Sequence, residues 1–123
     1  MRQIPWSRVM ERANADGEFR IAARFWWTAL RFDLGPESIC LTVEDGNIRA
    51  IAPSGPGSDC DVGVSGALPS WERLLAAVPL WQDLLGAVLR GDFVVTAADP
   101  EAFYAYYPAV RRLVDLVREE SGS

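Results

Sequence analysis

The residues able to do acid–base, nucleophilic or metal chemistry are few in this chain, and their types exclude several reactions. The 123-residue sequence contains no His and no Lys, and its twelve basic residues are all Arg. Without His there is no Ser–His or Cys–His relay and no His-based zinc site. Without Lys there is no Schiff-base amine and no Walker-type phosphate lysine. Carboxylates and tyrosines are left for proton transfer.

Two short polar motifs resemble catalytic or metal sites without completing one. Asp59 and Asp61 lie two residues apart on a predicted strand and could offer oxygen ligands to a hard cation. No third ligand type is near them in sequence, so we interpret them as a solvated strand edge. Gly63-x-Ser65-Gly66 falls short of the G-x-S-x-G elbow of serine hydrolases. We therefore predict no catalytic residue, no metal ion and no cofactor.

The aromatic stretch EAFYAYYPAVRRL, residues 101–113, suggests either a packed core or the wall of a pocket. Helical spacing places one group of side chains on an inward face, namely Phe103, Tyr106, Tyr107 and Val110. It places Tyr104, Arg111 and Arg112 outside that face. Pro108 predicts a kink or restart of the helix. We interpret the two arginines as the polar side of the last helix, although an Arg at a ligand mouth could also pair with a carboxylate.

Composition indicates a folded, acidic domain. Half of the residues are hydrophobic, five are Trp and the net charge is −5. We predict one domain over residues 1–123, with a helical segment at about 4–25, the sheet and its helices at 27–119, and a frayed tail at 120–123. The negative charge disfavours nucleic acid and anionic membranes as partners. No signal peptide and no membrane-length apolar run occurs, so we predict a cytoplasmic protein without integral membrane association.

Hydrophobic periodicity predicts a sheet preceded by helices. Apolar residues recur at helical spacing after Pro5, and residues 17–25 fit either a short helix or a strand, of which we favour the helix. A period of two begins at Trp27, and Asp45-Gly46 predicts a tight hairpin between the next two strands. Further strands are predicted at 59–65 and 92–97. Cys40 and Cys60, each expected within a strand, are interpreted as buried thiols rather than as a disulfide.

Two helices with the same pattern are predicted between the fourth and fifth strands. Trp71-x-x-Leu74-Leu75-x-x-Val78 recurs ten residues later as Trp81-x-x-Leu84-Leu85-x-x-Val88. Ten residues are not a whole number of helical turns, so we predict a break at Pro79. Asp99-Pro100-Glu101 then begins a last helix that runs to about Glu119. Strands followed by helices, one more strand and a final helix predict a one-sheet α+β fold.

The order of these elements resembles the sterol carrier protein family, in its type-two, single-domain bacterial form. The resemblance is carried by TALRFDLG, ESICLTVEDGNIRAIAP, DCDVGVSGALPSWERLL and LLGAVLRGDFVVTAADPEAFYAYYPAVRRLV, and it covers roughly residues 2–119. It implies a five-stranded, mostly antiparallel sheet with helices packed on one face. It also implies an apolar tunnel between sheet and helices for sterols, fatty acids, acyl-CoAs or related lipids, in proteins that are not catalytic in themselves.

Three functions stay open from the sequence. The first is non-catalytic binding of a hydrophobic small molecule, such as a fatty acyl, sterol-like or isoprenoid lipid. Its lid would be made of residues 70–90 and the last helix, and the protein could present the ligand to a partner enzyme. The second is a protein-interaction or dimerisation module with a filled core. The third is a small isomerase or cyclase that uses Tyr106 with Asp83 or Asp92. The predicted ligand-binding residues are Trp27, Phe32, Trp71, Leu75, Trp81, Leu85, Phe103, Tyr106, Tyr107 and Val110.

Overall fold

The computed structural model of the chain describes residues 3–54, 60–76 and 84–121. The described helices are α1 Trp6–Ala15, α2 Gly17–Ala22, α3 Leu68–Leu74, α4 Leu84–Leu89, α5 Pro100–Ala105 and α6 Tyr107–Ser121. The strands are β1 Trp27–Leu34, β2 Glu37–Glu44, β3 Asn47–Ser54, β4 Val62–Gly66 and β5 Phe93–Ala97. This is the α+β class that the sequence predicts. None of the helices in these ranges is both long and apolar enough to cross a membrane.

The strands form one sheet in the order β3-β2-β1-β4-β5. Neighbouring strands are antiparallel except β1 and β4, which are parallel, so the prediction of a mostly antiparallel sheet is confirmed. The β2–β3 hairpin turns at Asp45 and Gly46, with φ of 50° and 84°. Both residue types tolerate positive φ, which explains why this dipeptide predicts the hairpin from sequence alone.

The helices cover one face of the sheet. Along β1, Thr28, Leu30, Phe32 and Leu34 are buried, while the residues between them point to the other face. Trp6 of α1 and Trp71 of α3 both contact Phe32, which fixes the helical side of the sheet. The second short helix is confirmed by α2, whose first turn is capped by Asp16. The break at Pro108 is also confirmed, because α5 ends at Ala105 and α6 begins at Tyr107.

Several finer predictions differ from the structure. Cys60 precedes β4 rather than lying in it, and its Sγ is 3.5 Å from the Sγ of Cys40 on the face away from the helices. Both thiols are free, and burial together with the Cys60 contact raises the pKa of Cys40 to about 11. Glu120, predicted as part of a frayed tail, lies within α6 and pairs with Arg12. The break predicted at Pro79 lies outside the described residues.

Arg112 connects the last helix to the N-terminal helices instead of facing solvent. Its guanidinium donates from Nε and Nη2 to the two carboxylate oxygens of Asp16, at 3.0 and 2.9 Å. Asp16 Oδ2 also accepts from the Phe19 backbone N–H at 2.8 Å and so caps α2. The Arg112 hydrogen bond, aided by that cap, lowers the pKa of Asp16 below its usual value. One carboxylate thus joins α2 to α6.

We expect Asp16→Ala to lower the free energy of unfolding by about 2–3 kcal/mol, because it removes both a helix cap and a charge-assisted pair. Asp16→Asn should lose less, since Asn also caps helices well. The lowered pKa means that the stabilisation is complete above the unfolded-state value of about 3.9 and is lost as the pH falls through the folded-state value. Urea unfolding at several pH values would show it. If the difference in free energy of unfolding between wild type and Asp16→Asn stayed the same in strong acid, this assignment would be contradicted.

Candidate ligand-binding site

A row of aromatic side chains runs through the interface between the sheet and the helices. Phe32 stacks on Trp6 with ring centroids 6.2 Å apart and meets Trp71 edge-on at 5.5 Å. Trp71 in turn meets Phe93 edge-on at 5.0 Å. Trp71, Phe32 and Phe93 are buried, whereas Trp6 is only half-buried. Trp6 is therefore the end of the row that faces an opening.

That opening is a cleft of about 750 Å³ at the end of the sheet where β1 ends and β2 begins. Its size is within the range of pockets that hold small organic ligands. The N-terminal part of α1, the first residue of α3 and the adjoining ends of β2 and β3 form its walls. The lining residues are Gln3, Ile4, Trp6, Leu34, Pro36, Glu37, Ser38, Ile39, Pro53, Ser54 and Leu68.

Backbone geometry at the β1–β2 turn sets one wall of the cleft. Gly35 has φ of +63° and its N–H donates to the Gly66 carbonyl oxygen at 3.0 Å. A Cβ added at Gly35 would lie 2.8 Å from Leu68 Cγ, so only Gly allows Leu68 to pack against this turn. At the other wall, Ile4 is buried and its carbonyl oxygen accepts from the Trp6 N–H at 2.9 Å.

The described lining of the cleft is mixed, with seven apolar and four polar residues. The apolar residues are Ile4, Trp6, Leu34, Ile39, Leu68, Pro36 and Pro53. Glu37 is exposed, and the Ser38 hydroxyl donates to Asp33 Oδ1 at 2.6 Å on the face of the sheet away from the helices. Such a site can bury a hydrocarbon body and leave its polar head at the opening.

No protein-family model matches the chain, and no curated protein matches it. A crystal structure of sterol carrier protein 2 is 21% identical, with a TM-score of 0.81 over 96% of this chain and 97% of its own. A solution structure from Thermus thermophilus, described as possibly a sterol carrier protein, is 20% identical, with a TM-score of 0.79 over 98% of this chain and 91% of its own.

The chain has the sterol carrier protein fold. A palmitated SCP2L2 protein from Aedes aegypti shares it at 16% identity, with a TM-score of 0.57 over 84% of this chain and 89% of its own. The resemblance noted from the sequence is therefore confirmed at the level of the fold. In this chain, the cleft lies at the end of the helix–sheet interface where β1 ends and β2 begins.

Four of the predicted ligand-binding residues are core residues of this sterol carrier fold. Phe32, Trp71, Phe103 and Val110 are each at most 3% exposed. The Trp71 indole N–H also donates to the Asp33 backbone oxygen at 2.8 Å, which fixes the ring in place. Of these four, Phe32 is nearest to the cleft, because it stacks on Trp6. Their role in ligand binding stays a prediction.

A second group of predicted residues gathers around α5 and α6. The Tyr107 hydroxyl accepts from the Leu85 backbone N–H at 2.8 Å and its ring meets Phe103 edge-on. Tyr106 stacks on Trp26 with centroids 4.9 Å apart, and its hydroxyl donates to the Phe25 carbonyl oxygen. The tyrosine hydroxyls therefore hold neighbouring backbone in place. Leu75 is half-buried after α3.

Of the remaining two predicted residues, Trp27 and Trp81, the structure describes only Trp27. Trp27 is 66% exposed and lies on the face of β1 opposite to Phe32, so the structure does not bring it to the helical side. Side chains alternate between the two faces along β1, so the register that buries Leu30 and Leu34 places Trp27 on the opposite face. Trp81 lies outside the described residues. Phe25 and Ile21 near the start of β1 are also about two-thirds exposed. An interaction role for that surface stays a prediction.

The carboxylates of the described residues do not assemble the acid–base site of the third hypothesis. Asp92 forms an ion pair with Arg90 at 3.4 Å. The Tyr106 hydroxyl donates its hydrogen bond to the Phe25 carbonyl oxygen and not to a carboxylate. Asp61 accepts from the Ala29 N–H at 2.9 Å and so ties the start of β4 to β1. Within ranges 3–54, 60–76 and 84–121, no three metal-ligating side chains come together. Asp59 and Asp83 lie outside these ranges.

Sequence reasoning missed the residues that line the cleft. Trp6 does lie on the apolar face of α1, as its spacing predicts, but it borders an opening on one side and the core on the other. Ile39 and Leu68 have the pattern of ordinary strand and connection residues. The available signal was the pair of prolines, Pro36 in the turn before β2 and Pro53 within β3 opposite Ile39, because proline is typical of strand ends and sheet edges.

Proposed function

We propose that this protein binds a hydrophobic small molecule, without chemical conversion, in the cleft beside Trp6. The observation that carries the proposal is a cleft of about 750 Å³, lined by seven apolar and four polar described residues, at the end of the helix–sheet interface of a sterol carrier fold. The palmitated relative of the same fold supports fatty acyl chains as one ligand class. Sterol-like and isoprenoid lipids are the other candidates, and a partner enzyme is a candidate recipient.

Apolar burial would supply most of the affinity. A ligand that buries roughly 300 Å² of apolar surface gains about 7 kcal/mol at ~25 cal/mol per Å², before the entropy of association is subtracted. The Trp6 ring offers a flat apolar surface in the cleft, and Phe32 behind it limits how far that ring can retreat. The wall is thus supported from within the core.

We expect saturable, one-to-one binding of a fluorescent long-chain lipid analogue, with displacement by unlabelled lipid. The physical reason is that a cleft of this size has room for a single small ligand, which packs against its apolar side. Titration of the delipidated protein, with mass spectrometry of any co-purifying molecule, measures this. Absence of saturable binding for fatty acyl, sterol-like and isoprenoid ligands alike would overturn the proposal.

A further inference from the structure

Two thiols meet on the face of the sheet away from the helices. Cys40 lies on β2 opposite Arg31 of β1, and Cys60 comes two residues before β4 begins. Their Sγ atoms are 3.5 Å apart, within hydrogen-bonding distance for sulfur, and both residues are half-buried. The fold therefore brings together two thiols that are 20 residues apart in sequence.

A short movement would convert this contact into a disulfide. The S–S bond of a disulfide is about 2.05 Å long, so the two sulfur atoms must approach by roughly 1.5 Å. Cys40 is held on both sides, because its strand pairs with β1 and β3. Cys60 lies outside the strands, whereas the next residue, Asp61, is fixed to β1 by its N–H, which donates to the Ala29 carbonyl oxygen at 3.0 Å. We therefore expect Cys60 to supply the movement while the chain after it stays in place.

Burial keeps the Cys40 thiol protonated at neutral pH. Burial and the Cys60 contact raise the pKa of Cys40 to about 11, while the Arg31 guanidinium opposes this rise and the Asp61 carboxylate adds to it. Thiol–disulfide exchange needs a thiolate, so a reagent in solution reacts slowly with Cys40. Once a reagent has bonded to one of the two sulfur atoms, however, the other thiol is already in contact with it, and the second step is intramolecular. The geometry thus favours an internal link over a lasting adduct.

We propose that Cys40 and Cys60 are a reversible redox pair, which small-molecule disulfides convert from two thiols into one internal disulfide. The thiolate of one cysteine attacks the small disulfide, forms a mixed disulfide with the protein and releases one small thiol. The thiolate of the other cysteine then attacks the protein sulfur of the mixed disulfide and releases the second small thiol. The two cysteines lose two electrons and two protons in all, which the two released thiols take up. The reaction is independent of any ligand in the cleft.

Equilibration of the purified protein with reduced and oxidised glutathione, followed by acid quenching and mass spectrometry, tests the pair. We expect a monomer that is lighter by two hydrogens and takes up no alkylating reagent until dithiothreitol restores both thiols. Since the sequence has only two cysteines, an internal disulfide can join no other residues. We expect the equilibrium constant for its formation to be about 100-fold larger in the folded protein than in the same chain in urea, the order by which a link closing a loop of this length stabilises a compatible fold.

Three results would overturn the proposal. They are an equal or smaller equilibrium constant in the folded protein, a lasting glutathione adduct as the main product, and a disulfide-linked dimer as the main product. The first would show that the fold does not hold the two sulfur atoms ready to react. The other two would show that neither cysteine completes the exchange within its own chain.

Exchanging two residues of β2 gives a matched control. The double variant Ser38→Cys, Cys40→Ser keeps the composition and the face of the sheet, but it moves the thiol by about 6.6 Å along the strand. Ser38 pairs with Asp33 near the end of β1, whereas the residue after Cys60 is bound to Ala29 near its start, so the thiol moves away from Cys60. We expect this variant, once circular dichroism shows it to be folded, to lose the preference of the folded state for the disulfide. An undiminished preference would overturn the proposal, and if the variant does not fold, the comparison of folded and urea-unfolded wild type decides alone.

Discussion

Replacing Trp71 with Ala lowers the free energy of unfolding by about 3–5 kcal/mol, the largest effect we expect from a single side chain. Trp71 is 2% exposed and lies between Phe32 and Phe93, with centroid distances of 5.5 and 5.0 Å. Its removal leaves a large cavity where the helices meet the sheet. It also removes the donor of the indole hydrogen bond to the Asp33 carbonyl oxygen.

Trp27→Ala is a matched control for this change. The same residue type is removed, but Trp27 is 66% exposed and contributes little to the core. We expect a loss of about 0.5 kcal/mol or less, as for most surface substitutions. Urea unfolding followed by circular dichroism measures both variants. Similar losses for the two tryptophans would contradict the assignment of Trp71 to the core and of Trp27 to the outer face.

Ile39→Trp weakens ligand binding about 50-fold, the largest functional effect we expect. Ile39 is half-buried on β2, pairs with Phe32 of β1 and lines the cleft. A Trp there occupies space that the ligand needs, and about 100 Å² of lost apolar contact corresponds to this factor. Trp is a good strand residue, so the sheet should keep its fold.

Ala52→Trp is the control for added bulk. Ala52 lies on β3, is exposed and is next to Pro53, the partner of Ile39. Because side chains alternate along a strand, it points away from the cleft. We expect binding like that of wild type in the same displacement titration. Urea unfolding of both variants separates a blocked cleft from a damaged fold.

Local patterns were enough to predict most of the fold. The apolar spacing of α1, the Asp45-Gly46 hairpin and the Asp99-Pro100 helix start each depend on neighbours along the chain, and each appears as predicted. The five-stranded, mostly antiparallel sheet followed from the resemblance to sterol carrier proteins rather than from any one motif, whereas the strand order was not predicted. The pairing of Asp16 with Arg112 was not predictable, because 96 residues separate the partners.

The candidate site was less predictable because a cleft is a space left between elements that are distant in sequence. Trp6, Ile39 and Leu68 come from two helices and a strand, and each has the pattern of an ordinary core residue. Trp71 of α3 is instead almost fully buried, among neighbours that we expect to be as closely packed as in other protein interiors. At Trp27, the aromatic side chain suggested a ligand contact, whereas the strand register placed it on the outer face.

A displacement titration of wild type, Ile39→Trp and Ala52→Trp with one lipid probe tests the central claim most directly. Ligand binding in the cleft predicts saturable binding by wild type and Ala52→Trp, with an affinity about 50-fold weaker for Ile39→Trp. Equal affinity for all three proteins would contradict a ligand site beside Trp6 and Ile39.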